Sequence, residues 1–239
     1  MEPGPARYPP AMDRRIALVC AWCGPVFLVL FVAGFWFVAG LVPPPRPSDN
    51  AAQIAAFYRD NTDRIRVGML MSMVATALLA PFIILITQQM KRRNPRLALL
   101  ADIQLLCGFA LLIMILIPIS FIALGAFRPE RPPESTQLLN DIAFFALFWV
   151  FSTPVLEYLS MAAYSLMDRS DRPLFPRWVG WFDLATAAIF VTGAPVLFVK
   201  DGPFAWNGLL AFWAVLLIFG GWVLVSFAYV LREAQTIET

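Results

Sequence analysis

Six stretches of this chain, residues 16–42, 67–90, 97–127, 141–167, 178–199 and 203–231, are apolar over the length of a bilayer-crossing helix. Such a helix takes about 20 residues. The first, second and last stretches carry no charged residue at all. Strands of a membrane barrel are shorter, about 9–11 residues, and alternate in polarity, and these stretches do neither. Because hydrocarbon offers no partner for backbone N–H and C=O groups, helices are the remaining way across. The expected fold is an all-α integral membrane protein, a bundle of six transmembrane helices with the lipid bilayer as its first partner. Residues 1–15, with four prolines in their first twelve positions, read as a disordered cytoplasmic tail. Residues 232–239 read as a second cytoplasmic tail.

Charge decides what such a bundle is not. Only 14% of the residues are charged and 60% are hydrophobic, against about 25% and 45–50% in soluble domains. No basic face for nucleic acid can be built from this. The chain has no histidine, which excludes an HExxH zinc site, His-ligated haem, a membrane di-iron oxygenase and a Ser–His hydrolase. Its two lysines, Lys91 and Lys200, stand at the ends of apolar stretches, where a Schiff base at the bilayer centre is out of reach. No GxxxxGK[ST] loop is present, so the chain encodes no nucleotide-driven pump. Neither a cofactor nor a metal is expected.

Two short motifs attract attention and are set aside. Cys20-Ala21-Trp22-Cys23-Gly24-Pro25 has a CxxC spacing and overlaps the Trp-Cys-Gly-Pro of thioredoxin-like redox sites. The redox motif needs its second cysteine after the proline, where Val26 stands, and a strand-to-helix setting that an apolar helix does not supply. Cys107 reads as a small packing residue. Asp168 and Asp171 share a DxxD spacing of the kind that holds magnesium against a diphosphate. There is no second acidic cluster to match it, and a solvated loop is expected.

Orientation follows from the basic residues. With the N-terminus in the cytoplasm, eleven arginines and lysines fall inside (Arg7, Arg14, Arg15, Lys91, Arg92, Arg93, Arg96, Arg169, Arg172, Arg177, Arg232) and seven outside. The turn 91–96 is the strongest single inside marker. Both termini are expected in the cytoplasm and the protein in the plasma membrane. In the first outer loop, Ser48 or Asp49 is placed to cap a short interfacial helix running to Arg66, apolar on one side and charged on the other. Interior prolines at positions 25, 81, 118, 154 and 195 predict several kinked helices. Trp36, Trp178, Trp181 and Trp206 fall where interfacial anchors belong.

The candidate site residues are the acids within the apolar stretches and the hydroxyls aligned with them. Glu157 lies eleven residues before Asp168, about 16 Å deep at 1.5 Å per residue. Thr153, Ser160 and Tyr164 share its helix face. Asp102 and Asp183 are shallower, each five residues into its helix. An acid in hydrocarbon is costly and should face the bundle interior. With no basic residue deep in the bundle, each acid is held neutral, takes a cation, or meets an arginine (Arg96, Arg172 or Arg177) snorkelling in from the rim. Three functions fit. The favoured one is a small carrier or ligand-binding protein with an intramembrane acidic site (Glu157, Asp183, Asp102, Thr153, Ser160, Tyr164) for a proton or cation, working as a homo-oligomer or with a partner membrane protein. Next comes a non-catalytic subunit or assembly factor of a membrane complex. An enzyme acting on a lipophilic substrate by acid/base chemistry ranks third, with catalytic residues unassigned.

Overall fold

The structure, a computed structural model, describes residues 12–237, so most of the proline-rich tail and the last two residues lie outside it. Six helices are long and apolar enough to cross a membrane: Arg14–Val38, Thr62–Arg93, Pro95–Phe127, Pro133–Met167, Arg177–Leu197 and Leu209–Gln235. The chain is a multi-pass, all-α membrane protein.

Few of the six spans are uniform α-helix. The first is α1 (Arg14–Val32), continued by a π-helical turn over Ala33–Val38. Asp13 caps it, its carboxylate accepting from the backbone N–H groups of Arg15 and Ile16, and satisfies donors that have no intrahelical partner. The short α2 (Ala51–Asp60) follows, and then the second span, split into α3 (Thr62–Ala77) and α4 (Leu79–Arg93). The third span is α5 (Ala98–Phe127). The fourth breaks at Val150–Phe151 into α6 (Pro133–Trp149) and α7 (Ser152–Met167). The fifth is α8 (Arg177–Phe190), wound on as a 3-10 helix over Val191–Leu197. The sixth opens with a π-helical turn, Leu209–Ala214, before α9 (Val215–Gln235).

The prolines explain part of this pattern, and differ from the expected kinks. Pro81 and Pro154 are the third residues of α4 and α7. There the missing N–H costs nothing, because first-turn donors are unpaired anyway. They mark helix starts after breaks. Pro195 lies in the 3-10 stretch, and only Pro25 and Pro118 sit inside continuous α-helix.

The loop helix α2 is capped by Asn50, not by Ser48 or Asp49. Asn50 Oδ1 accepts from Gln53 N while Gln53 Oε1 accepts from Asn50 N, a reciprocal capping box. It ends at Asn61, short of the expected Arg66. Its apolar side (Ile54, Ala55, Tyr58) is buried in protein, against α5 and α6, and does not lie on lipid. Tyr58 rests on Gly125, where any Cβ would meet its ring at 2.7 Å, and its hydroxyl donates to Asn140 Oδ1 at 3.3 Å. Burial, and secondarily the Asp141 charge, pushes the Tyr58 phenol above its usual range. Below pH about 10 the phenol is neutral folded or unfolded, and stability is independent of it. Above that, the unfolded chain ionises first, so stability falls by up to about 1.4 kcal/mol per pH unit. Tyr58→Phe should lose about 1 kcal/mol at neutral pH and flatten this alkaline slope, read from melting curves in detergent between neutral pH and pH about 11.

The buried side chains form two clusters stacked along the bundle. One, at the end holding Arg14, Asn94 and Asp168, contains Ala17, Met90, Tyr164, Phe175 and Val230. The other, at the far end, contains Leu41, Tyr58, Ile122, Phe144 and Trp206. Leu28 and Phe219 pack against both. The first end is tied by polar contacts: Arg93 with Glu233, Gln89 Nε2 with the Val230 carbonyl (2.9 Å), and Asn94 Nδ2 with Asp168 Oδ1 (3.0 Å). Asp168 is therefore a buried latch; of the DxxD pair, only Asp171 is exposed. Trp206 also departs from expectation. It is buried, stacks on Phe144 and donates to the Pro45 carbonyl at 2.8 Å, whereas Trp178 and Trp181 are exposed as interfacial anchors would be.

Candidate functional site

Glu157 and Asp183 lie within electrostatic range of each other, and both are 0% exposed. Glu157 projects from α7, which packs against α5 and α8. Its Oε1 accepts from Gln104 Nε2 on α5 at 3.4 Å, and Gln104 Oε1 in turn accepts from Thr87 Oγ1 on α4 at 2.7 Å. The carboxyl lies close to the α5 backbone because residue 108 is glycine. A Cβ there would stand 2.8 Å from Glu157 Oε1 and 2.9 Å from Ile83. Glu157 Oε2 has no donor.

Asp183, on α8, has no hydrogen bond to either oxygen. The Trp222 indole on α9 lies beside it but outside hydrogen-bond geometry. The Tyr158 hydroxyl, buried within electrostatic range of both acids, and the Ser226 hydroxyl, one turn after Trp222, are also unpartnered. The Tyr158 ring is wedged between Trp222 (5.3 Å) and Phe190 (4.9 Å). Among the described residues, no lysine or arginine is buried. Two carboxyls, a phenol and a serine hydroxyl thus share an apolar interior with more oxygen acceptors than donors. Such a set can take up and release protons, or surround a small cation.

The other sequence candidates fall elsewhere. Asp102 shares its depth with Asp183 but points outward, its side chain 53% exposed and paired with Lys91 Nζ at 2.5 Å. None of the expected arginines is its partner. Thr153 is half-buried one turn before Glu157, with an unpartnered hydroxyl. Ser160 donates back to the Glu157 carbonyl (2.7 Å) and Tyr164 donates to the Met90 carbonyl (2.8 Å). Both hydroxyls are spent on backbone. Sequence reasoning missed Gln104, although an amide inside an otherwise apolar stretch was a visible signal. Tyr158 and Trp222 gave none, because aromatics crowd every span.

Residues 22–226 match a family described as a domain of unknown function, DUF4386. No curated protein and no solved structure matches the chain. The matched segment reaches into all six spans and contains Gln104, Glu157, Tyr158, Asp183 and Trp222 together. With most of its length covered, this chain belongs to the DUF4386 family.

Proposed function

We propose that this protein is a small carrier or ligand-binding protein of the plasma membrane, in which Glu157 and Asp183 take up a proton or a small cation. One observation carries the reading: three carboxyl oxygens, Glu157 Oε2 and both of Asp183, are buried without a donor. An ionised carboxylate left so would cost several kcal/mol. The acids therefore rest neutral and are poised to ionise when a cation arrives or the bundle opens. A second reading has one observation in its favour. The Gln104–Glu157 bond is the kind of interhelical contact that holds membrane helices together, which would make Glu157 structural. That reading leaves Asp183, which has no bond to contribute, without a role.

The test is proton movement. Liposomes holding the protein and a pH-sensitive dye are given a proton gradient, with sodium gradients as a second probe. Wild-type protein should carry flux, and Glu157→Gln and Asp183→Asn should each abolish it. Flux unchanged in both variants would end the proposal.

Both termini belong on the cytoplasmic side in this reading, on the eleven-to-seven distribution of basic residues, and six spans suit a homo-oligomeric carrier. Arg92 is exposed at one end of the bundle and Asp60 at the other. In a cysteine-free background, an impermeant thiol reagent applied to intact cells should label Asp60→Cys and leave Arg92→Cys untouched. The reverse pattern would invert the orientation.

A further inference from the structure

A cavity of about 110 Å³ lies between the first, third, fourth, fifth and sixth spans. Its lining side chains are all apolar, eight of them phenylalanine. Four irregular pieces of backbone meet around it. The π-helical turn of the first span supplies Phe35, the break in the fourth supplies Phe151, the 3-10 stretch of the fifth supplies Gly193, and the π-helical turn of the sixth supplies Phe212. Gly193 is required there, because a Cβ would fall 2.4 Å from the Phe148 carbonyl. π-Helical turns are rare and concentrate at functional sites, and here two of them, a helix break and a 3-10 stretch wall one space. Leu147 and Leu216, on the fourth and sixth spans, are only part-buried, so the cavity wall is not sealed on that side.

A cavity without polar partners does not hold water; an apolar cavity of about 150 Å³ stays dry and binds benzene. The phase bordering this one is the hydrocarbon layer of the bilayer. We propose that the cavity is a binding site for the end of a phospholipid acyl chain, which enters sideways between the fourth and sixth spans. No carboxylate lines it, so the proposal stands apart from the proton or cation reading. Two of its walls reach toward the acids: Phe190 packs at a tilt against Tyr158, and Phe219 stacks on Trp222. An occupant thus lies one aromatic ring away from Glu157 and Asp183, separated from them by Tyr158 and Trp222.

The experiment uses the whole protein in nanodiscs of phosphatidylcholine carrying a diazirine at the end of one acyl chain. After irradiation, adducts are mapped by peptide mass spectrometry. Adducts per residue should be several-fold higher on Phe35, Phe148 and Phe212 than on Leu106 and Phe109, which are exposed on the bundle surface. Leu111→Trp, which fills the cavity from a buried wall, should remove the cavity adducts and spare the surface ones. Val215→Phe gives a second filling, and the wild-type map decides alone if neither variant folds. Equal labelling of cavity and surface, undiminished labelling in a folded filled variant, or labelling by a polyprenyl probe but not the acyl one would overturn the proposal.

Discussion

Asp183→Leu should melt at a higher temperature than the wild-type protein and carry no proton or cation flux. Neither Asp183 oxygen has a hydrogen-bond partner, so the side chain contributes nothing that leucine would forfeit. Leaving a buried polar group unsatisfied costs about 1–3 kcal/mol, and an apolar side chain of similar size recovers that amount. A residue that weakens the fold and yet occupies its centre fits a working group, because functional sites commonly sacrifice stability for activity. Glu157 should behave differently. Glu157→Gln keeps a partner for Gln104 but cannot ionise, so it should fold normally and lose flux. Glu157→Leu should also lose the interhelical bond, about 0.6 kcal/mol on average in membrane bundles. Melting curves in detergent and flux in liposomes, taken on the same preparations, separate the outcomes. If Asp183→Leu is less stable than wild type, the carboxyl has a partner in the folded protein and the site is wrongly drawn. Full flux in Glu157→Gln would leave that residue as packing alone.

Gly68→Val should be strongly destabilising. A Cβ at residue 68 would stand 2.4 Å from the Gly34 carbonyl oxygen, 2.6 Å from Ala39 Cβ and 2.8 Å from Ala39 N. Two of these three neighbours are backbone and cannot rotate away, so the first and second spans would have to separate. Small residues let membrane helices approach this closely. Overpacking costs typically 1–3 kcal/mol, and with backbone as the obstacle about 3 kcal/mol is expected. Membrane abundance and melting temperature should both drop sharply, with Gly68→Ala intermediate. Gly220, with nothing within 4 Å of its Cβ position, is the control, and Gly220→Ala should be near neutral. A wild-type melting curve for Gly68→Val would mean that these two spans do not cross at this point.

Hydropathy alone revealed the six spans, because a bilayer imposes one length and one polarity on anything that crosses it. What it left open is rotation about each helix axis. Asp102 and Asp183 sit at equal depth by residue count, yet one turns out to meet Lys91 and the other turns in beside Trp222. Nothing local to either residue distinguishes them; the neighbouring helices do. The cap of α2 is legible locally: not Ser48 or Asp49 but Asn50, followed three residues later by Gln53, carries the capping-box signature. Gln53 returns the hydrogen bond to the Asn50 backbone and so selects Asn50. The prolines show the same limit as the two aspartates. Each was visible, but whether it kinks a helix or begins one depends on where the preceding helix ends. Glu157 was legible as a deep acid. Its partner Gln104 is neutral, so it carries no ionisation penalty in hydrocarbon that would fix which way it faces.

The two ends of the bundle differ in how their backbones are wound, and this bears on how the protein meets membranes of different thickness. The end holding Asn94 and Asp168 is mostly regular α-helix, with one 3-10 turn at Pro95–Leu97, and is cross-tied by side chains. Among the described residues, the far half contains both π-helical turns and the longer 3-10 stretch, whose rise per residue departs from that of the α-helix. A change in winding there lengthens or shortens a span without moving the opposite end. Hydrophobic mismatch, which costs fractions of a kcal/mol per Å, would be absorbed on that side. The composition of one leaflet, more than the other, would then set the shape of the space between the phenylalanines.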